Sequence, residues 1–179
     1  MIHRLLKILT PVLQHLLRYY LRKTRPYRYK GIHVTVEPGV FYPGFIFSTR
    51  LLLEFLDKQD LSGKKFLELG AGCGIISLLA ARKGAMVTAS DINPAAVENM
   101  KENARSNKLE MNIIESDLFQ NINREVFDWI IINPPYYPEN PKDTSAMAWF
   151  CGRDFEYFKK LFPQLREFSD PSCRIIMIL

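Results

Sequence analysis

The sequence predicts an α/β fold, a doubly wound and mainly parallel sheet covered by helices. Three observations lead there. From Lys64 onward, short apolar runs alternate with helical stretches, the rhythm of βαβ units. A glycine-rich turn, Gly70-Ala71-Gly72-Cys73-Gly74, joins the first of those runs to a helix. Acidic residues then recur at three successive strand ends: Glu68, Asp91 and Asp117. Right-handed crossovers between such strands give an open, doubly wound sheet.

The elements follow in order. Residues 3–23 place Leu5, Ile8, Leu9, Val12, Leu13, Leu16, Leu17, Tyr20 and Leu21 at helical spacing on one stripe. Thr10-Pro11 suggests a break, with Thr10 capping a second helix. Thr24–Lys30, basic and aromatic, reads as a linker. Residues 1–30 thus form a basic amphipathic helical arm and linker, and residues 31–179 a second unit. Ile32–Val36 alternates as a strand, Pro38 to Gly44 is a loop, and 48–57 is a helix burying Leu51, Leu52, Phe55 and Leu56. Strands are expected at 65–69, 86–90, 112–115, 127–132 and 174–179, with helices at 75–82, 94–107 and 155–168. The run 174–179 reads as a central buried strand. An open sheet normally continues past such a strand, so the last strands are expected to be missing.

Composition narrows the function classes. The chain has 179 residues, 47% hydrophobic and 24% charged, enough for one sizeable core. No apolar run approaches the roughly 20 residues of a membrane span, and the N-terminus does not resemble a secretory signal. Cys73, Cys151 and Cys173 show neither metal-ligand spacing nor a disulfide framework, which suits a cytoplasmic setting and no metal. The net charge of +5 is uneven. Residues 1–36 carry eight Lys or Arg and no acid, while the remainder is net negative. The basic arm therefore points to an anionic partner: RNA, a ribosome-bound substrate or a membrane surface; a solvated helix with incidental charge is the plainer alternative.

The glycine-rich turn is a ligand loop. Glycines allow the tight turn and let a ligand lie on bare backbone, with helix N–H groups behind it. A dinucleotide fingerprint has glycines at its first, third and sixth positions. Here they fall at the first, third and fifth (Gly70, Gly72, Gly74), and the sixth is Ile75. Glu68, two residues earlier, suits a cationic ligand such as a sulfonium with its amino-acid group better than a pyrophosphate. Asp91, next to Ile92, ends the following strand and can accept two ribose hydroxyls. Asp117 can accept from an adenine amino group, with Leu118 offering a backbone N–H. Taken alone, Asp91 reads equally as a helix N-cap and Asp117 as a turn residue.

Ile130–Ile132 runs into Asn133-Pro134-Pro135-Tyr136. An amide or exocyclic amine has a delocalised lone pair and is a poor nucleophile. It needs acceptors that hold its N–H groups and aim the nitrogen. The Asn133 side-chain oxygen and the Pro134 carbonyl can be those acceptors. Pro134 and Pro135 have fixed φ and no competing N–H, and Asn133 before proline is kept extended. Tyr136 can stack on a flat amide or base. No strong base is required when the proton leaves after transfer; positioning and polar preorganisation supply the rate. A proline turn after a strand is the plainer alternative.

Together these residues resemble the class I S-adenosylmethionine-dependent methyltransferases. More narrowly, they are similar to the small-domain type with an Asn-Pro-Pro-Tyr motif, which includes the HemK/PrmC-like glutamine methyltransferases and several RNA adenine and guanine N-methyltransferases. The resemblance covers residues 36–179. Ala148 to Asp154, followed by Phe162-Pro163, is similar to the stretch after this motif in the glutamine enzymes. It implies a Rossmann-like methyltransferase fold and S-adenosyl-L-methionine as cofactor. That cofactor would be held by Glu68, Gly70, Ala71, Gly72, Gly74, Asp91, Ile92, Asp117 and Leu118, with Asn133 to Tyr136 gripping the target nitrogen. Gly39–Pro43 and Ser48–Leu53 look like the segment that lids the cofactor. Three departures stand out, the first being that the family's last strands, which follow the fifth, are expected to be missing here. Phe45-Ile46-Phe47-Ser48 lacks the acid that HemK-like members tend to carry there, and the arm is too short for the helical domain of the release-factor enzymes. Three functions remain in view: a protein glutamine methyltransferase acting on a release-factor-like substrate, an RNA base N-methyltransferase, and a non-catalytic binding module.

Overall fold

The computed structural model describes residues 19–45 and 47–178. The predicted amphipathic helix of the arm lies, up to residue 18, outside the described residues; Tyr19 and Tyr20 are helical. No helix among the described residues is long and apolar enough to cross a membrane.

The segment expected to be a linker is a strand. β1 (Arg25–Tyr29) pairs antiparallel with β2 (Ile32–Val36), with Tyr29 opposite Ile32. Lys30 and Gly31 both adopt positive φ, 43° and 82°, as a two-residue hairpin turn requires. The density of positive charge in Arg25–Lys30 concealed the alternation and the Lys-Gly turn signal. The division at residue 30 therefore cuts through a hairpin.

β2 buries Ile32, Val34 and Val36 and exposes His33 and Thr35. Among the described residues its outer edge has no strand neighbour. Instead, three asparagines on one face of a helix, α3 (Pro94–Asn107), act as a surrogate strand. Asn107 Oδ1 accepts from His33 N–H at 3.1 Å and Asn103 Oδ1 from Thr35 N–H at 2.9 Å. Asn99 Oδ1 accepts from Glu37 N–H at 3.2 Å. The same three amides donate back to the His33 and Thr35 carbonyls. A spacing of four residues puts all three side chains in one row.

α1 (Phe47–Asp57) buries Ser48, Thr49, Leu52, Leu53 and Leu56. The sequence reading of its inner face was wrong by a partial turn. Leu51 and Phe55, expected inside, are 41% and 40% exposed and form an outer row with Phe47. Leu53 takes the inner place because it neighbours Thr49 and Leu56 on the helix surface.

The main sheet is the predicted parallel one, in the order β5-β4-β3-β6-β7. Its strands are β3 (Lys65–Leu69), β4 (Met86–Asp91), β5 (Asn112–Glu115), β6 (Trp129–Ile132) and β7 (Arg174–Met177). α2 (Ile75–Arg82) joins β3 to β4, and α3 joins β4 to β5. α4 (Glu156–Leu165) joins β6 to β7 and packs on the opposite face through Leu161 and Leu165. β7 is the last strand of the sheet among the described residues and is partly exposed. Chain order reverses at β3, whose neighbours are β4 and β6. That reversal opens a crevice at the carboxyl ends of the strands, where open α/β sheets take ligands.

Candidate functional site

A cleft of about 300 Å³ opens at that crevice. Strand ends supply most of its wall: Gly70 and Gly72 after β3, Asp91 and Ile92 at the end of β4, Asp117 and Leu118 after β5, and Asn133 to Tyr136 after β6. Gly39 and Phe41, from the loop after the hairpin, cover one side. The structure thus brings ten of the thirteen residues singled out from sequence to one cavity.

Glu68, Ala71 and Gly74 are not among its lining residues. Glu68 points from β3 toward α2, is 4% exposed, and accepts the Ser77 hydroxyl proton. Burial pushes its carboxyl up to about 8, so near neutral pH it is mostly protonated. Gly74 faces α3: a Cβ there would lie 2.6 Å from Met100 Cγ. Its φ of 80° also favours glycine. Gly74 therefore lets α2 and α3 approach behind the loop. Ala71 N–H donates to the Ser90 carbonyl at 2.9 Å, tying the loop to β4.

Gly70 and Gly72 do face the cavity, both at positive φ, 69° and 56°. A Cβ at Gly70 would meet nothing within 4 Å, so bare backbone there borders open space. Asp91 locks the loop. Its Oδ2 accepts from Gly72 N–H at 2.8 Å and its Oδ1 from Asn93 N–H at 2.9 Å. Each oxygen keeps a further lone pair for a ligand hydroxyl. Burial raises the Asp91 pKa, and these backbone donors oppose that rise. Asn93 caps α3 through Ala95 N–H at 3.0 Å and donates to the Gly39 carbonyl at 2.9 Å, drawing the hairpin loop over the cleft.

Leu118 takes φ 54°, a left-handed conformation rarely adopted by leucine. Ser116 holds it there, donating its hydroxyl to the Leu118 carbonyl at 2.8 Å and accepting from Asn121 N–H at 3.0 Å. Asp117, read as an acceptor for an amino group, gives Oδ2 to the Lys160 ammonium. Its other oxygen is left for a ligand.

At the floor, Asn133 Oδ1 accepts the Tyr136 hydroxyl proton at 2.6 Å. Tyr136 therefore orients the asparagine as well as offering a ring. No backbone N–H of the described residues bonds the Pro134 carbonyl. The next loop folds back over the motif: Tyr136 and Tyr137 N–H both donate to the Trp149 carbonyl, at 3.1 and 2.9 Å. Trp149 in turn packs on Phe41, ring centroids 5.2 Å apart. This closes the rim between the hairpin loop and the motif.

Sequence reasoning missed Glu156, Tyr157 and Lys160, which line the cleft from the first turn of α4. Their one-turn spacing on a helix that follows the motif was the available signal.

These features define the chain's class. The model of the methyltransferase small domain matches residues 31–153, and the chain belongs to that family. Among curated relatives, a Methanocaldococcus jannaschii protein provisionally named protein N5-glutamine methyltransferase is 43% identical over 70% of this chain and 64% of its own length. Ribosomal RNA small subunit methyltransferase C of Photorhabdus laumondii is 36% identical over 62% of this chain and 33% of its own. The chain thus spans from a third to just under two thirds of these relatives. Among solved structures, the T. thermophilus 16S rRNA N2 G1207 methyltransferase, in complex with AdoMet and guanosine, superposes with a TM-score of 0.64 at 25% identity. That match covers 87% of this chain and 41% of the other.

Proposed function

We propose that this chain is an S-adenosylmethionine-dependent N-methyltransferase whose target is the side-chain amide of a protein glutamine. The observation that carries it is the pairing of Asn133 and Tyr136 at the floor of the cleft. The donor set fits the cofactor. Asp91 offers two oxygens to ribose hydroxyls, Gly70 and Gly72 offer backbone at close range, and Asp117 with Leu118 offers an acceptor and a main-chain N–H. Family membership and the AdoMet of the T. thermophilus relative support the same choice.

When bound, the cofactor supplies a methyl group that leaves sulfur as its bond pair returns there and a bond to the substrate nitrogen forms. The protein's part is to hold and aim that nitrogen. Asn133 Oδ1 accepts one amide N–H with the lone pair that Tyr136 leaves open, and the Pro134 carbonyl accepts the other. Tyr136 keeps the asparagine oxygen facing inward. After transfer the nitrogen loses one proton to solvent, so no buried base is needed. Glu68, protonated behind the wall, has no part in that step.

A second reading has one observation in its favour. The hairpin carries Arg25 stacked 3.6 Å over the Tyr20 ring, with Arg28 between Tyr27 and Tyr29 on β1. Alternating arginine and tyrosine suits single-stranded RNA, so a base amine is the rival substrate. Glutamine is preferred on the M. jannaschii relative and on the stretch after the motif.

The test is methyl transfer from labelled cofactor to a release-factor protein and, separately, to ribosomal RNA. Label on a glutamine supports the reading, label on a base supports the rival, and transfer unchanged in Asn133→Ala would sink both.

A further inference from the structure

The wall that α4 adds to the cleft holds one group left without a partner. Glu156, Tyr157 and Lys160 reach the cavity from its first turn. Lys160 is committed to Asp117. Tyr157 is fixed by its backbone, whose N–H donates to the Cys151 carbonyl at 3.0 Å. Its ring lies edge-on to Phe158, 5.2 Å between centroids, and joins the cluster around Leu161 and Leu165. The hydroxyl, in contrast, has no hydrogen-bond partner among the described residues. Burial and the nearby Asp91 and Asp117 push its ionisation upward, so it stays a neutral O–H donor. Its oxygen is not among the fully buried unpaired atoms, so it is accessible in the cleft, where a ligand atom can pair with it.

The chemistry of the neighbours says what it is for. Asp91 and Asp117, when ionised, only accept hydrogen bonds. A nucleoside lying across them presents donors, in its ribose hydroxyls and exocyclic amine, but also acceptors, in its ring nitrogens and ribose oxygens. We infer that Tyr157 is a further cofactor-binding residue, donating its hydroxyl to an acceptor atom of the nucleoside held between Asp91 and Asp117. The inference rests on the cofactor reading given above. It makes α4 part of the cofactor site as well as the cover of one sheet face.

The test is calorimetry on the full chain with S-adenosylhomocysteine and with adenosine, comparing wild type with Tyr157→Phe. The expected result is a dissociation constant about three- to tenfold higher for both ligands, by the same factor, with an unchanged unfolding midpoint. Tyr157→Met is the second variant and is expected to weaken adenosine at least as much. Unchanged affinity in Tyr157→Phe would overturn the inference while leaving the cofactor reading intact. A loss for S-adenosylhomocysteine with none for adenosine would overturn it too, since the contact would then lie off the nucleoside. Failure of the wild type to bind either ligand would overturn both.

Discussion

The Tyr136 hydroxyl donates to Asn133 Oδ1 at 2.6 Å, so the asparagine proposed to grip the substrate is itself gripped. An asparagine amide can turn end for end, and the wrong end would present N–H groups to a nitrogen that needs acceptors. Fixing that choice beforehand is preorganisation of the kind that lowers a barrier.

Tyr136→Phe keeps the ring and removes this one bond. A single neutral hydrogen bond is worth about 1 kcal/mol, so kcat should fall about fivefold while cofactor affinity holds. Asn133→Ala removes the acceptor itself and should cost more than about a hundredfold. Labelled-methyl transfer under saturating cofactor measures both. Equal rates in Tyr136→Phe and wild type would remove the orienting role.

Gly74→Ala tests whether the last glycine of the loop serves packing. The new Cβ would sit 2.6 Å from Met100 Cγ at a φ of 80°. Overpacking and backbone strain together predict a loss of about 3 kcal/mol in urea unfolding. Gly63→Ala has a similar φ of 67° with nothing within 4 Å, and should lose only about 1 kcal/mol. Met100→Ala in the Gly74→Ala background should recover part of the larger loss. Equal costs at the two glycines would show that the close approach to α3 does not matter.

These glycines show what the sequence could and could not say. The spacing of Gly70, Gly72 and Gly74 separated this loop from a dinucleotide fingerprint, yet gave no means of telling which glycines face ligand. Gly74 meets Met100, a contact across 26 positions that no local pattern records. The βαβ region was legible nearly to the residue, with α2, α3 and β5 falling at their expected bounds, because period and turn chemistry agree there. β1 was missed because its partner and its charge pulled the reading in opposite directions. Glu68 was read as a counter-charge for a cationic ligand and not as a buried acid turned toward Ser77, since a strand's two faces look alike until the helices are placed. Lys160 and Tyr157 reach the cleft only through the course of the loop between Tyr137 and Phe155.

Asn103→Ala should unfasten the hairpin. Its amide serves the Thr35 N–H and carbonyl, and also the Cys73 carbonyl at 3.0 Å, so it ties β2 and the glycine-rich loop to α3 at one point. Buried partners left unsatisfied cost about 1–3 kcal/mol. Amide exchange at Thr35 should accelerate more than at Phe66 to Leu69 of β3, which pair with β4 and β6. Uniform acceleration across both would mean a global loss of stability, and the hairpin would have no separate fastening.

Glu68 gives the protein a pH dependence with a definite sign. An unfolded glutamate ionises near 4.5, while burial raises the folded group to about 8. Below the lower value both states hold the proton and the group contributes no slope. Between the two, the unfolded chain releases a proton that the folded one keeps, so stability falls as pH rises, by about 1.4 kcal/mol per unit at most. Above the upper value both states are ionised and the slope ends. Glu68→Gln has no proton to release and can still accept from Ser77, so its stability should fall less between pH 5 and 8. Urea unfolding of both proteins across that range measures the difference. Parallel curves would mean that Glu68 is ionised in the folded state, and its carboxylate would then again be a counter-charge for a cationic ligand.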